Sequence, residues 1–86
     1  MSPTYSMQDL LALMQQLRDP ETGCPWDKKQ TLHSLTAYTI EEAYEVVDSI
    51  EQNDLAGLQS ELGDLLFQVV FYSQIAEEQG LFNFQD

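Results

Sequence analysis

The sequence predicts an all-α fold, an antiparallel helical bundle completed by oligomerisation, and three observations predict it. Apolar residues recur at helical spacing in three successive segments, and no stretch alternates as a strand would. The last of these segments, Leu62 to Tyr72, is apolar around nearly its whole circumference, which marks a helix covered on several sides. Eighty-six residues make one domain, spanning 1–86, whose core alone stabilises it only marginally.

Residues 1–5 read as a loose start. Ser6 is placed to cap a first helix, with Asp9 in its first turn, running to about Leu17. Met7, Leu10, Leu11, Leu13, Met14 and Leu17 give that helix its apolar stripe. Asp19-Pro20-Glu21-Thr22-Gly23-Cys24-Pro25 then breaks the pattern with two prolines and a glycine, so a loop is expected, with Trp26 directly after it.

A second helix is expected from about Thr31 or Ser34 to Gln52. At about 100° per residue, Leu35, Ile40, Ala43, Val46, Val47 and Ile50 gather on one side. Glu41, Glu42, Glu45 and Asp48 gather on the other. Asn53-Asp54 forms a turn, and Asp54 caps a third helix ending near Gly80. So short a connection makes helices two and three antiparallel neighbours. Two partner helices from this chain are too few to cover the third, so a second subunit is expected to complete the bundle.

The charge pattern narrows the function. Fifteen acids against three bases give a formal charge of −12, which excludes direct binding to a nucleic-acid polymer. It would also repel an anionic substrate unless cations neutralised the site. Cys24 is alone, so there is no disulfide framework, and it is read as structural. No signal peptide is evident and the apolar run is too short to span a bilayer, so a soluble cytoplasmic protein is expected, with no membrane partner.

Most of the acids are expected to be a solvated surface. Two pairs stand apart. Glu42 and Glu45, like Glu61 and Asp64, are three residues apart and therefore point the same way on a helix. Asp64 lies inside the apolar run, where a carboxylate is costly unless something positive neutralises it. Arg18, Lys28 and Lys29 are all far upstream. A divalent cation is the better candidate, and Mg²⁺ suits oxygen ligands that leave room for substrate phosphates. A di-iron centre would need Glu-x-x-His motifs, and the single histidine, His33, precedes the acidic face. There is no calcium loop of the EF-hand type.

At this point the residues resemble a known family. Gly23-Cys24-Pro25-Trp26-Asp27-Lys28-Lys29-Gln30-Thr31 resembles the G-C-P-W-D-x-x-Q-T signature of the MazG nucleoside triphosphate pyrophosphohydrolases. Tyr38 to Val46 is similar to the family's acidic helix, and Glu61 to Phe71 to its E-L-G-D-L-L-F-Q-V-V-F stretch. The resemblance implies Mg²⁺-dependent cleavage of a nucleoside triphosphate to the monophosphate and pyrophosphate, in a homodimer or higher homo-oligomer. It implies that Glu42, Glu45, Glu61 and Asp64 hold the metal, with Glu41 orienting or deprotonating the attacking water or serving only as a solvated neighbour. It assigns phosphate contacts to Lys28 and Lys29. Trp26 is either near the base or a packing anchor after the proline turn. The family usually continues past the Phe82-Asn83-Phe84 region into a helix with basic residues, so absence of that helix here is an expectation. A non-catalytic metal-binding interaction module on the same fold is the alternative reading.

Overall fold

A computed structural model describes residues 6–86; the expected loose start at 1–5 lies outside the described residues. The order is α1 (Met7–Leu17), α2 (Pro25–Lys29), a 3₁₀ turn (His33–Leu35), α3 (Thr36–Glu51) and α4 (Leu55–Glu78), with no strand among the described residues. The first helix begins as its sequence dictates. The Ser6 hydroxyl accepts from the Asp9 N–H, and Asp9 Oδ2 accepts from the Ser6 N–H, a reciprocal capping box.

The loop after α1 closes tightly on itself. Asp19 Oδ1 accepts from the N–H groups of Glu21 and Thr22, and the Gly23 and Cys24 N–H groups donate to the Asp19 and Leu17 carbonyls. A Cβ at Gly23 would sit against the Leu17 carbonyl and 2.6 Å from that of Asp19. Only glycine lets the strands of this loop approach so closely. Gly23→Ala is expected to cost about 1–3 kcal/mol through forced backbone shifts, read as a lower urea midpoint with an unchanged slope.

Pro25 does not prolong the loop as expected; it opens α2, where its missing N–H is no loss and its fixed φ suits the first helical position. Five residues are too few for periodicity to reveal. The start of α3 is the 3₁₀ turn, in which the Thr31 hydroxyl accepts from the Ser34 N–H and Ser34 Oγ from that of Thr31. Both residues expected to start the helix therefore lie before it, bonded to each other across the entry to that turn.

Between α3 and α4 the turn is made by Asn53, at φ 58°. Its N–H reaches the Ile50 carbonyl, and that of Asp54 reaches Ser49, which is a Schellman closure with asparagine in the left-handed position. Asp54 then accepts from the Gly57 N–H and so caps α4. A second Schellman closure, with Gly80 at φ 74°, ends α4.

The seam between α3 and α4 differs from the apolar side read from the sequence. Leu35, Thr39, Glu42, Val46 and Ser49 are its more buried positions, whereas Ile40, Val47 and Ile50 are exposed. The seam therefore runs along the boundary between the apolar and acidic faces and takes some residues from each. Its half nearer the core is fixed by a hydrogen bond between Thr39 Oγ1 and the Tyr72 hydroxyl. The core is Met14, Leu35, Val70, Phe71 and Ile75, flanked by Leu10, Leu11, Leu32, Phe67, Tyr72 and Phe84. It gathers where α1 and the 3₁₀ turn meet the later part of α4, and leaves the earlier part of α4 to the carboxylates.

Arg18, the first residue past α1, fastens this assembly. Its Nε and Nη2 donate to both oxygens of Glu78, at 3.1 and 2.6 Å. Its Nη1 meets the carbonyls of Asp27, Lys28 and Gln30. The pairing holds the Glu78 carboxyl below its ordinary range. Arg18 does not reach the paired acids, and among the described residues it makes the only ion pair.

Candidate metal centre and adjoining pocket

Glu42 comes from α3, and Glu61 and Asp64 from successive turns of α4. One oxygen from each lies within 4.8 Å of the others, the only such group among the described residues. The spacing of Glu61 and Asp64 works as the helix repeat requires, and the seam brings Glu42 across to them. Glu42 and Glu61 are half-buried, while Asp64 is exposed. Glu42 Oε2 is buried without a partner.

The electrostatics register that crowding. A hydrogen bond with Glu61 comes first, then loss of solvent and the charges of Glu61, Asp64 and Glu45, together pushing the Glu42 carboxyl up to about 7. Like carboxylates this close share a proton in place of a cation. An acid whose pKa rises on folding binds its proton more tightly when folded. The metal-free protein therefore loses stability from this group as pH rises from the ordinary 4.5 towards 7, with no further loss above that. Melting in chelator across this window should show Tm falling with pH, and Glu42→Gln should flatten that part of the slope.

Such an arrangement fits a hard divalent cation. Three carboxylate oxygens converge, and Glu42, one of the three residues, has a buried oxygen without a partner, in a chemistry of oxygen donors alone. Glu45 is exposed and outside the converging set, though close enough for its charge to act on Glu42. Glu41 is exposed on α3. Lys28 donates to the Pro20 carbonyl at 3.2 Å, and neither it nor Lys29 makes an ion pair with the three acids.

Asp64 also belongs to a second feature. With Trp26, Leu35, Tyr38, Phe67, Gln68 and Phe71 it lines a cavity of about 190 Å³. Trp26 meets Tyr38 and Phe71 edge-on, at 5.9 and 6.3 Å between centroids, and Phe67 meets Phe71 likewise at 6.1 Å. Trp26 is thus a packing residue and a cavity wall at once. Gln68 Nε2 donates to the Tyr38 carbonyl, and its Oε1 is buried without a partner. Larger clefts, about 390 Å³ beside Arg18 and about 270 Å³ beside Phe84, touch none of the three acids. Helical periodicity does not mark Tyr38, Phe67, Gln68 or Phe71 as lining residues. Gln68 carried a signal, being a second polar break in the apolar helix one turn after Asp64.

Carboxylates from two helices gathered beside an aromatic cavity define a class of acidic all-α domains with a candidate cation site. Residues 30–86 match the family model described as the MazG nucleotide pyrophosphohydrolase domain, and the chain belongs to that family. It is 61% identical over 77 residues to a nucleoside triphosphate pyrophosphohydrolase of Escherichia coli (strain K12), covering 90% of this chain and 29% of that protein. It is 48% identical to the nucleoside triphosphate pyrophosphohydrolase/pyrophosphatase MazG of Thermotoga maritima over 92% of this chain and 31% of the relative. Against a nucleoside triphosphate pyrophosphohydrolase of Mycobacterium tuberculosis the figures are 44%, 81% and 21%. The chain therefore spans less than a third of the length of these relatives.

Proposed function

We propose that this chain is a Mg²⁺-dependent nucleoside triphosphate pyrophosphohydrolase, adding water to a nucleoside triphosphate to give the monophosphate and pyrophosphate. The observation that carries the reading is Asp64, shared between the converging carboxylates and the aromatic cavity. A triphosphate held at the acids would have its base end within reach of the cavity. The names of the relatives supply the reaction class.

Glu42, Glu61 and Asp64 would hold the cation, with Glu45 joining from the next turn. When bound, Mg²⁺ supplies the positive charge that lets a triphosphate approach so acidic a surface and activates water for attack on phosphorus. Glu41 orients the attacking water or takes its proton. Lys28 and Lys29 meet phosphate oxygens, and Trp26 borders the base.

The same reading assigns residues 1–86 to a single cytoplasmic domain that works as a homodimer or higher homo-oligomer. In support, Ile40, Tyr44 and Val47 on α3, and Leu62, Leu66 and Val69 on α4, are exposed apolar residues that a second copy would cover to complete the antiparallel bundle. No described helix is long and apolar enough to cross a membrane.

The test is product release by the purified protein from a panel of nucleoside triphosphates, with Mg²⁺ and with EDTA. Monophosphate and pyrophosphate in equal amounts, with Mg²⁺ alone, are expected. Diphosphate and inorganic phosphate, or equal turnover in EDTA, would contradict the proposal.

A further inference from the structure

The cavity wall that borders the base in this reading is not carried by the helices that carry the carboxylates. Trp26 belongs to α2, which has no buried residue of its own, and the family match begins at Gln30, just beyond it. Something else must fix α2. Its C-terminal carbonyls have few partners within so short a helix, that of Asp27 accepting only a long bond of 3.4 Å from the Gln30 N–H. The Arg18 guanidinium collects those of Asp27 and Lys28, at 2.8 and 3.3 Å, and that of Gln30 at 2.7 Å. The opposite edge of the same group grips Glu78 near the end of α4, and its centre lies 5.9 Å from the centroid of the Phe71 ring. Phe71 is also the ring that Trp26 meets edge-on.

We propose that Arg18 is a positioning residue for nucleobase binding: it locks α2 to α4 so that Trp26 stands as the wall of the aromatic cavity. This rests on the reading of that cavity as the base pocket. Arg18 lies outside both the lining of the cavity and the converging carboxylates. The planar fork of arginine serves carbonyls on one edge and a carboxylate on the other, which the single ammonium of lysine cannot do. The cation then resides on α3 and α4, while α2 carries the base contact together with Lys28 and Lys29, so cation binding and triphosphate binding should respond differently when the clasp is weakened.

Trp26 is the only tryptophan, so its emission reports on the wall directly. In Arg18→Lys, red-shifted emission and greater acrylamide quenching are expected, with Mg²⁺ affinity unchanged. KM for the triphosphate should rise about tenfold to a hundredfold, the scale of losing a base–aromatic contact, while kcat stays within a factor of about two. Glu78→Gln, which keeps acceptor oxygen for one arm of the fork, should move both readouts in the same direction but less. The proposal is overturned if Arg18→Lys leaves Trp26 emission and KM as in the wild type. It is equally overturned if Mg²⁺ affinity falls together with KM performance, which marks general loss of structure. If no triphosphate alters Trp26 emission in the wild-type protein, the base-pocket reading fails, and the proposal with it.

Discussion

Glu61→Gln is expected to abolish Mg²⁺-dependent pyrophosphate release, by about 100-fold or more, while leaving the protein folded. Loss of even an outer partner of a metal ligand typically costs 10–100-fold, and Glu61 stands among the three oxygens that converge. The substitution removes one of the charges crowding Glu42 and puts a neutral amide in its place. The metal-free variant should therefore melt no lower than the wild type. Glu45→Gln should be milder, because Glu45 acts on Glu42 only through its charge and lies outside the converging set. Steady-state rates at saturating Mg²⁺, with thermal melts in EDTA, separate the two. A Glu61→Gln protein with near-normal turnover would remove the acids from the mechanism.

Phe71→Ala should produce the largest loss of stability, about 3–5 kcal/mol, as truncation of a buried phenylalanine does. Phe71 is 2% exposed and belongs to the core with Met14, Leu35, Val70 and Ile75. It also meets Trp26 and Phe67 edge-on and lies beneath Arg18, so its loss loosens the clasp and the cavity together. Small domains have only about 5–15 kcal/mol in all, so a substantial unfolded population is expected by urea titration. A loss below about 1 kcal/mol would mean that the cavity collapses freely and that Phe71 does not organise the core.

What was legible in the sequence is what neighbours decide. Ser6 with Asp9, Asp54 at the start of α4 and Gly80 at its end are signals contained within a turn or two, and each is found in place. The Glu61–Asp64 pair was legible for the same reason, since helix geometry alone puts both on one side. The register of the seam was not. An amphipathic pattern gives the direction of the apolar side only broadly, and packing turned α3 so that Glu42 faces inward while Ile40 and Val47 face out. Arg18 was illegible altogether. Its carboxylate partner is 60 residues away, and three of its acceptors are backbone carbonyls, which have no sequence signature. A short helix such as α2 takes part of its support from that tertiary partner, which collects carbonyls at its C-terminal end.

Calorimetric titration of Mg²⁺ into the metal-free protein near pH 7 tests most directly whether Glu42, Glu61 and Asp64 form one cation site. Saturable binding is expected, with release of the fraction of a proton that Glu42 holds near this pH, seen as a heat that depends on the buffer, and with loss of binding in Glu61→Gln. Binding that survives Glu61→Gln unchanged, or no saturable binding at all, would contradict it.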